Sequence, residues 1–218
     1  MSRNFVDTYK LKGLRKKLSE ELAAKGNFDY SLINIFANLP RHFFLDSAFA
    51  EKAYQDQAFP IGEGQTISQP YTVAYQTMLL EVKPGDKILE IGTGSGYQAA
   101  ILASLGAKVY SVERVQKLSD EAKKVLQHLK LMVKQYVGDG TLGLPKHAPF
   151  DKIIVTAAAP IVPETLLAQL QVGGYLVIPV GDKETQEMRR IIKTSESTYK
   201  TQTFDTFRFV PLIGEEGW

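Results

Sequence analysis

Three glycines at alternate positions follow a short apolar run and are the residues of this chain most suited to ligand chemistry. They are Gly92, Gly94 and Gly96, within the stretch Ile88-Leu-Glu-Ile-Gly-Thr-Gly-Ser-Gly96. Glycine adopts positive φ angles without steric cost and lets the backbone approach a ligand closely. The free amide groups at the start of the helix that follows can bind anionic or polar groups. The stretch therefore predicts a ligand site where a buried strand turns into a helix.

The spacing of the glycines and a neighbouring acid distinguish between two kinds of cofactor. A dinucleotide site typically has the pattern Gly-x-Gly-x-x-Gly. Here the third glycine comes one position early, and Tyr97 occupies the position of the dinucleotide glycine. The carboxylate of Glu90 at the strand end suits a ligand with ammonium or sulfonium character better than a pyrophosphate. The two features together favour S-adenosylmethionine (AdoMet) over NAD.

Two further acids follow predicted strands and could complete a nucleoside site. Glu113 ends the second predicted strand, where a carboxylate can accept hydrogen bonds from both ribose hydroxyls, although this feature alone does not separate AdoMet from NAD. The alternative is a surface acid paired with Arg114. Asp139, between Gly138 and Gly140, could accept from an adenine amino group while Gly140 leaves room for the ring; the alternative is an ordinary Asp-Gly turn.

The segment from Pro60 to Pro70 has an unusual composition for a connecting loop. It contains two glycines and two prolines, and its neutral hydrogen-bonding side chains are those of Gln65, Thr66, Ser68 and Gln69. Because it precedes the first predicted strand of the sheet, it can fold over the edge where ligands bind in open α/β sheets. Composition alone does not decide between a binding loop and a structured polar loop.

Composition excludes several classes of function. The chain of 218 residues has no cysteine, which rules out disulfides and thiolate chemistry and is compatible with a reducing compartment. The three histidines, His42, His128 and His147, lack metal-like spacing, so no metal site is expected. No nucleophile elbow is present, which argues against a hydrolase. The net charge of +2 argues neither for nor against a nucleic-acid partner, but the aromatic residues lack the interleaved basic groove that nucleic-acid binding needs.

The content of apolar residues, 44%, and of charged residues, 23%, is typical of a soluble globular protein. No run of about 18 apolar residues predicts a membrane span, and the N-terminus has no apolar run of signal-peptide length. We therefore expect a cytoplasmic protein without membrane contact. A monomer is the expected oligomeric state, and residues 1–218 are expected to form a single domain.

The elements that must position these residues can be read from hydrophobic periodicity. Leucines at helical spacing predict a first helix that stops at Gly26, and a second helix is predicted from Ser31 to just before Pro40. Residues 1–40 thus form a predicted helical N-terminal cap. The chain from there to Pro70 is predicted to be loop-like, and a helix is predicted over Thr72–Val82.

Strands and helices then alternate. Predicted strands are Lys87–Ile91, Lys108–Val112, Lys134–Val137, Lys152–Thr156 and Tyr175–Pro179, and predicted helices are Ser95–Leu105, Val115–Leu129 and Pro163–Gln169. Such alternation indicates an α/β fold, a doubly wound and mostly parallel sheet. Two late strands, Arg189–Ile192 and Phe204–Val210, have no helix between them and predict an antiparallel hairpin at one edge.

Taken together, these segments resemble the protein-L-isoaspartate (D-aspartate) O-methyltransferase family. The resemblance covers roughly Leu39 to Gly214. The glycine-rich stretch is shared with many methyltransferases, whereas the Pro60–Tyr71 loop and the Thr156–Pro160 segment are more particular to this family. Other matching segments are Ala53-Tyr54, Ser111–Arg114, Gly138–Gly140, Ala148–Asp151, Ile153–Pro160, Gly173-Gly174, Val177–Gly181 and Arg208–Leu212.

The resemblance implies a Rossmann-like methyltransferase fold and a repair function. Such enzymes transfer a methyl group from AdoMet to the α-carboxylate of L-isoaspartyl residues in damaged proteins and peptides; the ester closes to a succinimide, which opens partly to normal aspartate. By the same resemblance Ser68 is the active-site serine, and Thr66 lies at the boundary between cofactor and substrate. The implied cofactor-binding positions include Gly92, Gly94, Glu113, Asp139 and Gly140, and the glycine-rich stretch adds Glu90 and Gly96. Some family members carry histidine where this chain has Tyr71, so no role for a histidine there can be transferred.

The implied reaction needs no general base, because a carboxylate with an ordinary pKa of about 4 is already ionised at neutral pH. We therefore expect Ser68 to orient the carboxylate by a hydrogen bond rather than to act as a nucleophile. Three alternatives stay open: an AdoMet-dependent methyltransferase with another acceptor, an NAD-dependent oxidoreductase and a non-catalytic AdoMet-binding protein. The segment Thr156-Ala-Ala-Ala-Pro160 lacks the polar and aromatic groups that hold a planar amine, and Tyr97 counts against NAD.

Overall fold

The protein is described by a computed structural model that covers residues 3–218. Two helices form the N-terminal part as predicted, α1 (Tyr9–Lys25) and α2 (Tyr30–Asn38). Thr8 caps α1 because its side chain accepts a hydrogen bond from the amide of Leu11, and Gly26 ends the helix. The second helix has Asp29 as its N-cap, so the predicted N-cap at Ser31 is late by two residues.

The region predicted to be loop-like is in fact largely structured. It contains three 3₁₀ turns, Arg41–Phe44, Ser47–Phe49 and Lys52–Tyr54, and an antiparallel hairpin of β1 (Phe59–Gly62) and β2 (Gln65–Ile67). Gly62, Glu63 and Gly64 all have positive φ angles, and this backbone conformation allows the tight turn. Phe59, Ile61 and Ile67 anchor the hairpin because their side chains are buried. The prediction of a loop was wrong for this part of the region, because its glycine and proline content is typical of loops while buried side chains stabilise a hairpin.

A helix, α3 (Pro70–Leu80), follows and leads into a seven-stranded sheet. Its elements, in chain order, are β3 (Lys87–Ile91), α4 (Tyr97–Ser104), β4 (Lys108–Glu113), α5 (Gln116–His128), β5 (Val133–Val137), β6 (Phe150–Val155), α6 (Glu164–Ala168), β7 (Leu170–Gly181), β8 (Gln186–Lys193) and β9 (Tyr199–Phe207). The strand order is β5-β4-β3-β6-β7-β8-β9. The first five strands in that order run parallel, and β8 and β9 are antiparallel to their neighbours. The predicted fold class, including the antiparallel edge hairpin, is confirmed.

The strand order reverses at the centre of the sheet. From β3 the chain first builds β4 and β5 on one side and then β6 and β7 on the other. In open α/β sheets ligands bind in the crevice at such a point, beyond the carboxyl ends of the strands. The glycine-rich stretch follows β3 directly and therefore lies in this crevice.

The last strand differs from its prediction in a way that matters for the site. It covers Tyr199–Phe207 rather than Phe204–Val210. Phe209 leaves the sheet edge because its amide donates to the side chain of Gln186, and the carbonyl of Val210 then accepts from the amide of Ala158. These bonds bring the residues after β9 back over the carboxyl ends of β3 and β6.

The core lies on both faces of the sheet. One face buries Leu89, Val112, Ile153 and Leu176, and the other buries Ile88, Val109, Ile154 and Val177. The alternation along each strand favours this register of the sheet because a shift by one residue would exchange the side chains that pack on one face for those that pack on the other. Within residues 3–218, no helix is long and apolar enough to cross a membrane.

Candidate active site

The glycine-rich loop has the backbone conformation that its sequence predicts. Gly92, Gly94 and Gly96 have φ angles of 91°, 51° and 87°. A β-carbon at Gly92 would lie 2.6 Å from Oγ1 of Thr156, and one at Gly96 would lie 3.1 Å from the β-carbon of Ala122. Gly92 therefore keeps the crevice open next to β6, whereas Gly96 lets α4 pack closely on α5.

Glu113 fixes the loop from the neighbouring strand. Its carboxylate accepts a hydrogen bond of 2.8 Å from the amide of Gly94 and one of 2.9 Å from the amide of Val115. The side chain is buried but still lines two cavities. Because a carboxylate can accept about four hydrogen bonds, Glu113 retains capacity for two hydroxyl groups of a ligand.

Two cavities share Glu113 in their lining and together form a crevice. The first, which we call the central cavity, encloses about 520 Å³, part of it open solvent, and is lined by the glycine-rich loop, Thr66, Ser68 and Thr156. The second, which we call the Gly140 cavity, encloses about 460 Å³, part of it open solvent, and lies between Gly140 and the residues that follow Val210. Both are lined by Gln65, Gly92, Glu113 and Ala157.

A third cavity, which we call the Arg208 cavity, opens on the other side of the central cavity. It encloses about 810 Å³, part of which is open solvent. It shares Thr66, Ser68, Thr156 and Val210 with the central cavity. Its remaining lining comes from Ala58, Gln69, Thr72, Thr206, Phe207, Arg208 and Phe209, so Arg208 is its charged residue and every other lining side chain is neutral.

Ser68 stands at the wall between the central and the Arg208 cavities. It lies between β2 and the start of α3 and is partly exposed. Its hydroxyl group has no hydrogen-bond partner within residues 3–218. An unpaired hydroxyl at this boundary can donate to a group that enters from the Arg208 cavity.

The structure places Asp139 differently from the other predicted site residues. Its carboxylate accepts from the amide and hydroxyl of Thr141, at 2.8 and 2.7 Å, and from the amide of Glu215 at 2.8 Å. Burial opposes the ionisation of Asp139, but these hydrogen bonds hold the pKa of its carboxyl group below the ordinary value. Gly140 lines the Gly140 cavity, whereas the side chain of Asp139 ties the C-terminal segment to the turn after β5.

Glu90 is also placed differently. Its side chain is fully buried beneath the loop, and it lines none of the three cavities. Burial raises the pKa of its carboxyl group to about 8. The sequence suggested that this carboxylate contacts an ammonium or sulfonium group directly. The structure does not place it where it could do so.

Several lining residues were given no individual role from the sequence. Thr156 and Ala157 follow β6, and Val210, Pro211 and Leu212 come from the segment after β9. The sequence did indicate these two segments, because both belong to the motifs that this chain shares with the methyltransferase family. Their place beside the glycine loop depends on strand order, which no local pattern specifies.

Comparison with known proteins agrees with this geometry. The family model of protein-L-isoaspartate (D-aspartate) O-methyltransferase matches residues 13–217. A protein-L-isoaspartate O-methyltransferase of Cytophaga hutchinsonii is 52% identical over 97% of this chain and 96% of its own length. One of Flavobacterium psychrophilum is 53% identical over 96% of this chain and 99% of its own. The chain belongs to the protein-L-isoaspartate (D-aspartate) O-methyltransferase family.

Solved structures of this family have the same fold. A protein-L-isoaspartate O-methyltransferase aligns with a TM-score of 0.85 at 30% identity, over 93% of this chain and 67% of its own. A beta-aspartate methyltransferase of Plasmodium falciparum, in complex with S-adenosyl-L-homocysteine, aligns with a TM-score of 0.80 at 26% identity, over 91% of this chain and 98% of its own. The expected family, fold and AdoMet-dependent class of enzyme are therefore confirmed.

The residues of the crevice fit AdoMet. The missing β-carbons of Gly92 and Gly94 leave the floor of the central cavity open, and Glu113 offers acceptor capacity at the junction with the Gly140 cavity. Tyr97 and Gln98, at the start of α4, line the central cavity, and the positive end of this helix suits the carboxylate of the amino-acid end. Within residues 3–218, no group of acidic or histidine side chains could hold a metal ion.

Proposed function

We propose that this member of the family transfers a methyl group from AdoMet to the α-carboxylate of L-isoaspartyl residues in damaged proteins and peptides. The support is the family match over most of the chain and the identity of about half to relatives named for this activity. The ester product closes to a succinimide, which opens partly to normal aspartate. The reaction therefore initiates repair.

One observation carries the proposal most directly. Ser68 has an unpaired hydroxyl at the boundary between the crevice suited to AdoMet and a second, larger cavity. A transferase needs such a boundary because the donor and the acceptor must enter from different sides and meet at one point.

The chemistry follows from the neutral character of this boundary. AdoMet supplies an electrophilic methyl group on a sulfonium centre. The acceptor carboxylate is ionised at neutral pH without a base, because its ordinary pKa is about 4. Ser68 donates a hydrogen bond that orients the carboxylate, and Thr66 lines the same boundary. A closer cationic partner would stabilise the ground-state carboxylate and weaken its attack.

The other predicted site residues, apart from the buried Glu90, are proposed to bind the cofactor or to shape its site. Glu113 is proposed to accept from the ribose hydroxyls, and Gly140 leaves room for the adenine ring in the Gly140 cavity. Asp139 contributes by fixing the turn that carries Gly140 and by holding the C-terminal segment. Gly92, Gly94 and Gly96 shape the loop. Alignment of the reacting atoms and exclusion of water supply the catalysis.

Replacement of Ser68 by alanine tests the acceptor side of this proposal. We expect kcat/KM for an isoaspartyl peptide to fall by about 10- to 100-fold, because a hydrogen bond to a charged group contributes about 1.5–3 kcal/mol. The affinity for S-adenosyl-L-homocysteine should stay near that of the wild type. The matched control is Ser197→Ala, in the exposed turn between β8 and β9. Unchanged turnover in Ser68→Ala would remove the proposed role of Ser68.

The proposal extends to the setting of the enzyme. We expect it to act as a monomer in the cytoplasm, on protein and peptide substrates rather than nucleic acids. These expectations rest on the composition of the chain and stay predictions.

A further inference from the structure

A buried chain of three polar side chains connects the interior of the sheet with the central cavity. Glu90 on β3 lies beside Ser111 on β4 in the register of the parallel pair. The hydroxyl of Ser111 is hydrogen-bonded to the carboxyl group of Glu90 and lies 2.5 Å from Oγ1 of Thr93. Glu90 and Ser111 are fully buried, and Thr93 lines the central cavity.

The direction of the hydrogen bonds in this chain depends on the charge of Glu90. An ionised carboxylate only accepts, so Ser111 must donate to Glu90 and Thr93 must donate to Ser111. Thr93 then faces the cavity as an acceptor. A neutral carboxyl group can instead donate to Ser111, which donates to Thr93, and the hydroxyl hydrogen of Thr93 becomes free to point into the cavity.

We propose that Glu90 is a positioning residue for the cofactor. Acting through Ser111, its neutral form makes Thr93 a hydrogen-bond donor toward the central cavity, and its ionised form makes Thr93 an acceptor. The group recognised by the donor state is the carboxylate at the amino-acid end of AdoMet or S-adenosyl-L-homocysteine. Glu90 thus acts on the cofactor without touching it.

The surroundings of Glu90 favour the neutral form at neutral pH. Burial raises the pKa of its carboxyl group to about 8, and the like charge of Glu113 on β4 acts in the same direction. The hydrogen bonds from Ser111 and from the amide of Ala99 on α4 oppose the shift. On the other side, β6 presents the apolar Ile154. Within residues 3–218, Glu113 is the one ionisable side chain whose charge shifts the pKa of Glu90.

The inference is tested by measuring the affinity for S-adenosyl-L-homocysteine, by calorimetry, from about pH 6.5 to about pH 9.5, a range that spans the ionisation of Glu90. For the wild type we expect Kd to rise by about tenfold as pH passes 8, the effect of one charged hydrogen bond. The Glu90→Gln variant should bind as the wild type does near pH 7 and keep that affinity at high pH. Its amide group carries no charge at any pH in this range and can donate to Ser111.

Two further variants and a control complete the design. Thr93→Ser keeps the hydroxyl and should keep the pH profile of the wild type, whereas Thr93→Val should bind more weakly with the profile of Glu90→Gln. The ligand's own amino group titrates equally in all variants, so differences between profiles report on the protein. Glu184→Gln, in an exposed turn, controls for loss of a negative charge. Circular dichroism and the melting temperature verify folding.

Two outcomes would overturn the inference. One is a profile of folded Glu90→Gln that matches the wild type at every pH, and the other is a loss of affinity in Glu90→Gln already near pH 7, which would show that the charge itself is needed. If Glu90→Gln does not fold, the pH profiles of Thr93→Ser and Thr93→Val decide, and equal profiles in these two variants would overturn the inference. The inference rests on the cofactor of the proposed function. Because binding is the readout, its failure is distinct from a failure of methyl transfer to the acceptor.

Discussion

Gly92 adopts a φ angle of 91°, and Oγ1 of Thr156 lies only 2.6 Å from the position that a β-carbon would take there. Thr156 is held there because its hydroxyl is hydrogen-bonded to the carbonyls of Ile91 and Gly92, at 3.0 and 2.6 Å. A side chain at Gly92 would therefore displace Thr156 and narrow the crevice between β3 and β6. At this residue the requirement for glycine has two separate causes, backbone conformation and contact.

The Gly92→Ala variant separates these causes when it is compared with Gly85→Ala. Gly85 has the same φ angle of 91°, but nothing lies within 4 Å of the position that a β-carbon would take there. We expect both variants to lose about 1–2 kcal/mol of stability from the backbone alone. Gly92→Ala should lose more and should also bind S-adenosyl-L-homocysteine at least tenfold more weakly, since ~1.4 kcal/mol corresponds to a factor of ten. Equal affinity in the two variants would contradict this account of the loop.

Glu90 gives the stability of the protein a pH dependence whose sign can be stated. Its pKa is about 8 in the folded chain and about 4.5 in the unfolded chain. Below the lower value both states are protonated and the contribution of Glu90 is fully present. As pH rises toward the higher value, the unfolded state alone ionises, so the free energy of unfolding falls.

Chemical denaturation of the wild type and of Glu90→Gln at several pH values measures this effect. We expect the variant to gain stability relative to the wild type as pH rises from about 4.5, with the difference levelling off above about 8. The side-chain amide of the variant does not ionise, and its NH2 group can still donate a hydrogen bond to Ser111. A difference that does not vary with pH would show that Glu90 ionises in the fold as it does in water.

Single residues of the site were predictable to different degrees. Glu113 lies at the end of a strand that the hydrophobic pattern marks, and the structure places it in the lining of both the central and the Gly140 cavities. Asp139 and Glu90 carry the same kind of sequence signal, yet their carboxyl groups bond within the protein. Local sequence shows that a carboxylate follows a strand, but not which partner its oxygens meet.

At the scale of elements, the C-terminal segment closes one side of the cofactor crevice. Pro211, Leu212 and Ile213 line the Gly140 cavity. The segment is held by hydrogen bonds from the amide of Glu215 to Asp139 and from Nε1 of Trp218 to the carbonyl of Ala158. Glu216 adds bonds to the amide and hydroxyl of Thr165. The backbone of Val210 and Leu212 is also hydrogen-bonded to Ala158, so the segment that closes the crevice is tied at its start and through its last residues.

Removal of residues 215–218 should loosen this wall. We expect S-adenosyl-L-homocysteine to dissociate about tenfold faster, with a smaller change in its association rate, because affinity changes appear mainly in the dissociation rate. Stopped-flow or surface-plasmon measurements give both rates. Trp218→Phe, which keeps a ring but lacks the Nε1 donor, should show a smaller acceleration. A dissociation rate equal to that of the wild type in the shortened, folded chain would show that the segment is not a wall of the site.

Elements with one clear periodicity were predicted closely. The predicted strand Lys87–Ile91 is identical to β3, and Lys108–Val112 differs from β4 by one residue. The region from residue 40 to 70 was predicted as a loop, because the tight turn at Gly62 and Gly64 and the short strands beside it resemble a polar loop in composition. The last strand was placed too late because Phe209 is buried without being part of it.

At the scale of the whole molecule, the site is assembled from segments that are distant in the sequence. Five segments meet at one edge of the sheet. They are the hairpin with Thr66 and the adjoining Ser68, the loop after β3, the end of β4, the segment after β6 and the chain after β9. The order β5-β4-β3-β6-β7 produces this meeting, because it places the carboxyl ends of β3, β4 and β6 side by side. Periodicity predicted the parallel sheet, whereas the meeting of the segments needed the resemblance to a family or the structure itself.

The central claim is that this assembled site methylates isoaspartyl carboxylates with AdoMet. The most direct measurement incubates the protein with AdoMet labelled in the methyl group and two peptides that differ only by aspartyl or isoaspartyl at one position. We expect base-labile label in the isoaspartyl peptide alone, followed by succinimide and normal aspartyl peptide as the ester decays. Label in both peptides equally, or in neither peptide although S-adenosyl-L-homocysteine binds, would contradict the claim.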